Sequence, residues 1–259
     1  MEHRVTFYDR WHHRIEGVLS RPSEHGSPIV ILCHGFLSDK NSTTNKTLTR
    51  LLGERGIATC RFDFFGQGES EGLLENITVS LAVAQAEAAV EYVLEQGHRC
   101  IGLAGSSFGG LVGILTVSQR DDVACLALKC PVVDFAEELR LEFGPDELVR
   151  WKNTDTVPPL ARGGDRVRLK YDLYEDSLKH DAYKAATGIK VPTLIVQGER
   201  DELIPLHQSR KLIESLGGVK RMDLLPNANH RFTDAADFNA MTASITAWLD
   251  THLHGNRPK

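Results

Sequence analysis

The chain of 259 residues has no excess of basic side chains: 30 Lys and Arg stand against 35 Asp and Glu, a formal charge of −5. That removes the electrostatic footprint on which nucleic-acid binding depends. There is no C-x-x-C pair, and the Cys125/Cys130 spacing is too loose for a zinc motif, so no metal is expected. The five cysteines, Cys33, Cys60, Cys100, Cys125 and Cys130, are odd in number, and four sit within or at the ends of apolar runs. Reduced, buried thiols fit that pattern better than a disulfide framework. The opening Met1-Glu2-His3-Arg4-Val5 lacks the apolar stretch of a signal peptide, and no run approaches the length of a membrane span. The expectation is a cytoplasmic protein that makes no use of a membrane. Internal repeats and low-complexity linkers are also missing.

What remains is an ordinary globular composition, 41% hydrophobic and 25% charged, in a length that suits one large α/β domain or two small ones. Val5–Phe7 and Arg14–Leu19 read as an opening pair of short strands. A more polar strand closes the series at Lys220–Leu225, and before it apolar runs stand at Pro28–Cys33, Ile57–Phe62, Arg99–Gly105, Val123–Lys129 and Pro192–Gln197. Such runs form strands buried on both faces. Between them lie helical stretches at Thr44–Arg55, Thr78–Gln96, Phe108–Gln119, Leu206–Leu216 and Ala235–His252, two of them stopped by Gly56 and Gly97. Strand and helix in alternation predict a mainly parallel sheet of about eight strands with helices on both faces. The rhythm breaks between Phe135 and Gly188, where the chain is charged and irregular and too long for a simple connection. This predicts a core of residues 1–134 and 189–259 with an inserted cap, residues 135–188, over the strand ends where such sheets bind ligands.

One stretch carries the chemistry. Gly105-Ser106-Ser107-Phe108-Gly109 lies between the apolar run Arg99–Ala104 and the small, apolar Gly110–Leu115. Strand, glycine-flanked serine and helix are the context of a nucleophile elbow, in which Gly105 and Gly109 leave room for a tight turn. The turn exposes the Ser107 hydroxyl, and the helix N-terminus behind it offers N–H groups to an oxyanion. A pentapeptide of this kind also serves as a plain strand-to-helix turn. A serine hydroxyl needs a base and an orienting acid, and the chain supplies both in the order Ser, Asp, His. Asp201 follows the strand ending at Gln197, and His230 follows the last strand in the loop Pro226–His230. Asp201 also reads as a helix cap, and Asp134, after the preceding strand, is the alternative acid. Cys33-His34-Gly35-Phe36 ends the first long strand, where a glycine lets the Phe36 amide join that of Phe108 as an oxyanion hole. His34 reads as a structural hydrogen-bonding residue, not a base.

The run from His34-Gly35-Phe36 through Gly105–Gly109 to Asp201 and His230 resembles the α/β-hydrolase superfamily over essentially the full chain. Arg61-Phe62-Asp63-Phe64-Phe65-Gly66-Gln67-Gly68-Glu69-Ser70-Glu71-Gly72, with Glu75-Asn76-Ile77-Thr78-Val79 after it, is similar to the corresponding segment of bacterial cinnamoyl (feruloyl) esterases and related small carboxylesterases. The resemblance implies an α/β-hydrolase fold and a metal-independent, cofactor-free serine hydrolase. The elbow departs from it: many relatives carry His-Ser-Gln or His-Ser-Met where this chain has Ser106-Ser107-Phe108.

In the cap, Arg166–Tyr174 alternates apolar and polar residues, which predicts a half-buried strand with Val167, Leu169, Tyr171 and Leu173 on one face. Val167, Leu169 and Tyr171 are therefore candidate substrate contacts, or else pack the cap onto the core. Phe143 and Trp151 read as anchors of the cap. Eleven carboxylates and nine basic residues between Phe135 and Gly188 leave no long apolar face for a lipid surface. The expected substrate is a small soluble ester, hydroxycinnamoyl and similar aryl esters among the candidates, and a homodimer is compatible with the chain. Peptidase, thioesterase and acylglycerol lipase chemistry use the same three residues and stay open. So does a catalytically silent binding module, although a pure binder has no need of all three.

Overall fold

A computed structural model describes residues 1–22, 27–155, 157 and 168–254. Eight strands form one sheet: β1 (Glu2–Tyr8), β2 (Arg14–Ser20), β3 (Ile29–Cys33), β4 (Ala58–Phe62), β5 (Ile101–Ser106), β6 (Val123–Lys129), β7 (Thr193–Gly198) and β8 (Lys220–Leu225). Their spatial order is β1-β2-β4-β3-β5-β6-β7-β8; β1, β2 and β4 pair antiparallel and every later neighbour pairs parallel. The helices are α1 (Thr43–Gly53), α2 (Val79–Glu95), α3 (Phe108–Val117), α4 (Phe135–Thr154), α5 (Asp172–Ser177), α6 (Ala182–Gly188), α7 (Leu206–Ser215) and α8 (Ala235–His254). None of the described helices is long and apolar enough to cross a membrane.

The central strands are buried on both sides because successive residues of an apolar run point to opposite faces. Ile29, Ile31 and Cys33 of β3 enter the larger core with α2 and α3, while Val30 and Leu32 enter the other core with α1 and α8. Helix ends follow local chemistry. Ser42 caps α1 by accepting from the Asn45 amide (3.3 Å), and Thr78 caps α2 by accepting from Leu81 (3.1 Å). Residues at Gly56 and Gly97 take positive φ, the backbone that stops the preceding helix.

Between β6 and β7 the structure differs from the irregular segment expected. Among the described residues it is helical, and α4 is broken at Gly144 (φ 72°) ahead of Pro145. Most of the charge stands at exposed helix positions, although Glu138 and Asp176 are buried, and this mixture blurs the apolar period. The strand expected over Arg166–Tyr174 is also corrected: Asp172–Ser177 is α5. Leu169 and Leu173, both fully buried, are four apart, a spacing that meets the helical template as well as the alternating one. Val167 lies outside the described residues. Trp151 is fully buried, donates from its indole nitrogen to the Leu169 carbonyl (2.7 Å) and packs on Phe143 and Tyr171.

The α5 segment is pinned to the core through Asp176, whose carboxylate accepts from the Ser80 amide (2.7 Å) and hydroxyl (2.8 Å) at the start of α2. Burial works against that charge, but bonds from His180 and Ser80 outweigh it and hold the carboxyl well below its usual range. A lowered folded pKa stabilises the protein above the unfolded value and is lost as pH falls through the folded one. Asp176→Asn should therefore lower stability by about 1–3 kcal/mol at neutral pH. In urea titrations at falling pH, the gap between the two proteins should shrink below the ordinary carboxylate range.

Candidate active site

Ser107 links the end of β5 to the start of α3 with φ 52° and ψ −117°, a conformation that side-chain-bearing residues avoid. Its backbone is tied down on both sides: its amide donates to Lys129 (2.9 Å), and its carbonyl accepts from Gly110 (2.8 Å) and Val132 (3.1 Å). A methyl built on Gly105 would lie 2.2 Å from the Gly109 carbonyl oxygen, and one on Gly109 would lie 2.3 Å from that of Cys33. Only glycine lets the helix rest directly on the strand ends.

Parallel register sets the next contact. Cys33 pairs with Gly105, so the chain leaving β3 passes beside the serine. A methyl on Gly35 would stand 3.5 Å from the Ser107 Cβ, and the rings of Phe36 and Phe108 meet edge to face at 5.5 Å. Among the described residues no hydrogen bond takes up the amide of Phe36 or of Phe108. His34 turns away from the serine: its Nδ1 donates to the Gly35 carbonyl (2.8 Å), and its Nε2 accepts from the Phe64 amide (3.1 Å). Burial lowers its pKa, keeping the ring neutral as that pair of bonds requires.

The same loop ends at a buried cation that the sequence reading overlooked. Lys40 reaches the carboxylate of Asp63 with its ammonium and, through its amide, Asp63 Oδ1 at 2.6 Å; its ammonium also meets Glu69 (2.7 Å). Burial disfavours the Lys40 charge, but the bonds it donates to Asp63 and Glu69 outweigh it and raise its pKa. The bridge fastens the loop carrying Phe36 to the glycine-rich loop after β4. A lysine four residues beyond the Phe36 position was the available signal, but nothing in the sequence says which acid it meets.

On the other side of Ser107, the loops after β7 and β8 meet. A methyl on Gly198 would lie 2.3 Å from the Ala228 carbonyl oxygen, and the Arg200 amide donates to that carbonyl at 3.0 Å. This contact brings Asp201 to His230, whose Nδ1 lies 2.8 and 3.0 Å from the two carboxylate oxygens. Asp201 also accepts from the amides of Leu203 (2.9 Å) and Ile204 (2.8 Å) and from Gln197 (2.8 Å). Burial pushes its pKa up, but His230 and those amides win and keep it below the usual value. His230 is held by its backbone as well: its amide donates to Glu202 (3.1 Å) and its carbonyl accepts from the Lys129 ammonium (2.7 Å). Lys129 and Glu202 were not picked out from the sequence; a lysine closing the apolar run of β6 was the clue. Asp134, the alternative acid, caps α4 by accepting from the Glu137 amide (2.8 Å).

The Cys130 sulfur, the Asp201 carboxylate and a His230 ring nitrogen lie within 4.8 Å of one another, the one metal-compatible group among the described residues. Burial raises the Cys130 pKa far above its ordinary value, which disfavours the thiolate a metal would need.

Ser107 stands where two cavities meet. One is narrow, with about 10 Å³ free, and is lined by Phe36, Phe108, Val132, Phe135, Leu139 and Leu169, with Glu138 and Glu142. The other is a cleft of about 440 Å³ that includes His230, Lys129, Arg231, Ser38, Ser42 and Thr44. Tyr171 lines neither and meets Trp151 edge to face (5.4 Å).

A hydrolase family model described as serine aminopeptidase, S33, matches residues 24–160, just over half of the chain. The chain belongs to that family. The match covers the Ser107 turn and ends before Asp201 and His230. Among curated relatives, the palmitoyl-protein thioesterase ABHD10, mitochondrial, of Bos taurus is 24% identical over 228 residues, 86% of this chain and 74% of that protein. The acylamino-acid-releasing enzyme of Rattus norvegicus is 24% identical over 257 residues, 92% of this chain but 34% of that protein. In fold, the chain is similar to Est1E of Butyrivibrio proteoclasticus, solved with ferulic acid bound, with a TM-score of 0.85 at 21% identity over 96% of this chain and all of that one. The mouse α/β hydrolase domain-containing protein 10 gives 0.82 at 19% identity, over 96% and 99% of the two chains. The fold is that of the α/β hydrolases, and the family is one of esterase, thioesterase and peptidase types of hydrolase.

Removing one partner of a buried ion pair is costly because the other charge stays desolvated. Lys40→Met should lower stability by about 3–5 kcal/mol, and Lys40→Met with Asp63→Asn, which removes the unpaired charge but keeps an acceptor for the Lys40 and Glu69 amides, should recover part of that loss. Paired chemical denaturation curves read the difference directly.

Proposed function

We propose that the protein is a serine carboxylesterase acting on small esters through an acyl-enzyme, with Ser107 as nucleophile, His230 as general base and acid, and Asp201 as the orienting carboxylate. The observation that carries this reading is the Asp201–His230 pair at 2.8 Å in a cleft that the strained Ser107 also lines. With Nδ1–H bonded to Asp201, Nε2 of His230 is the basic nitrogen. It takes the Ser107 proton as Oγ bonds to the ester carbonyl carbon. The carbonyl electron pair moves onto oxygen, where the amides of Phe36 and Phe108 receive it. Collapse breaks the bond to the alcohol, which leaves with the proton from His230; water then repeats the sequence and frees the acid. Asp201, kept ionised, stabilises the imidazolium in between.

Residues 135–188 act as the cap over the core formed by 1–134 and 189–259, because Phe135, Leu139 and Leu169 wall the narrow cavity. That cavity is narrow, which favours small acyl groups over long chains. Its aromatic walls suit flat aryl groups, hydroxycinnamoyl among them. A thioester is the second reading, drawn from the thioesterase relative and the shared chemistry. The five cysteines are all free thiols, consistent with a cytoplasmic setting.

A fluorophosphonate probe should label the wild-type protein and not Ser107→Ala, and that substitution should lower ester hydrolysis by roughly 10⁴-fold or more. An unlabelled wild-type protein would overturn the reading. Across p-nitrophenyl esters of rising chain length, kcat/KM should fall beyond about eight carbons, and Leu139→Ala should move the optimum to longer chains by widening the cavity, at a stability cost of about 2–5 kcal/mol.

A further inference from the structure

We infer that the leaving group of the substrate is negatively charged, carrying a carboxylate or a phosphate; this rests on the serine-hydrolase reading above. The argument starts from which cavity receives which half of an ester. The leaving alcohol takes its proton from His230, so it departs along the wall that His230 lines. That wall belongs to the wide cleft, whereas the narrow cavity includes Ser107 and Phe108 but not His230. The acyl group therefore enters the narrow cavity, and the leaving group occupies the cleft.

Charge is segregated between the two. The charged residues lining the narrow cavity are the carboxylates Glu138 and Glu142. Apart from the His230 ring, those lining the cleft are the cations Lys129 and Arg231. Lys129 is 7% exposed and is fixed in place by the His230 carbonyl, so its charge sits beside the histidine that delivers the proton. Arg231, the next residue along, is exposed and forms no salt bridge among the described residues. Glu202, whose carboxylate holds the His230 amide, is not part of the cleft lining. The hydroxyl-bearing Ser42, the N-cap of α1, and Thr44, in its first turn, place the positive end of a helix dipole in the same wall. An anion on the leaving group thus faces the two cations that line the cleft, with Asp201 and Glu202 behind His230, while an anion on the acyl group meets Glu138 and Glu142.

The test compares three butyryl esters with the same acyl group: those of 3-hydroxybenzoate, 3-hydroxyphenyl phosphate and 3-hydroxybenzamide. At low ionic strength kcat/KM should favour at least one anionic ester over the amide by about tenfold, and the better of the two names the class. Intrinsic reactivity works against this outcome, because the neutral amide makes the better phenol leaving group. Salt should compress the ratio, since exposed charges are screened within about 8 Å at physiological strength. Arg231→Gln and Lys129→Met should each reduce the ratio, and together bring it near one. Fluorophosphonate labelling reports whether each variant keeps a competent site, and Arg231→Gln, at an exposed position, carries the test if Lys129→Met fails to fold. Wild-type protein that is labelled yet hydrolyses the amide as fast as both anionic esters overturns the inference and leaves the esterase reading standing. A ratio unchanged in Arg231→Gln and Lys129→Met overturns it as well. Failure of the wild type to label sinks the underlying reading instead.

Discussion

The contact between Gly109 and the backbone leaving β3 sets the spacing of everything around the cleft. A hydrogen in place of a side chain lets α3 lie on the ends of β3 and β5, with 2.3 Å between an imagined methyl and the Cys33 carbonyl oxygen. Ser107 is held at positive φ by that close approach and by backbone bonds to Lys129, Gly110 and Val132. Strain of this kind costs on the order of 1–3 kcal/mol and persists only where surrounding structure over-determines it. The surroundings here are two cores, one on each face of the sheet, that fix the strands against one another.

Around the strained turn, the loops are held by polar contacts inside a largely apolar setting. His34 ties the β3 loop to Phe64, and Lys40 ties it to Asp63. On the opposite side Asp201, Glu202 and Lys129 grip His230 by ring, amide and carbonyl. Three loops from the carboxyl ends of separate strands are thereby fixed relative to Ser107 without a disulfide. A buried charge is stable only when it is paired, so each lysine also restricts where its loop can go. The result is a site whose two cavities differ in both polarity and sign of charge.

The parallel core was legible because strands buried on both faces are apolar runs, as β6 is, whereas the half-exposed edge strand β8, with Lys220, Arg221 and Asp223, was legible from its place in the alternation. The segment after β6 was less legible. Its helices bury few residues each, and at Leu169 and Leu173 a spacing of four satisfies strand and helix templates alike. Candidate site residues were legible where backbone geometry demands a particular residue, as at Gly105 and Gly109. Lys40, Lys129 and Glu202 were not, since a charge in a sequence does not reveal its partner.

The sequence by itself determined the alternation of strand and helix, the glycine-flanked serine, and the positions of an aspartate and a histidine after later strands. These depend on local period, on turn sterics and on chain order. Only the tertiary structure decided that Asp201 and not Asp134 meets His230, that His34 faces a neighbouring loop, and that Ser107 lies between an acid-lined narrow cavity and a cation-lined cleft. Those facts depend on which strand ends become neighbours and on which buried charges find partners, and both are set by packing across the whole sheet.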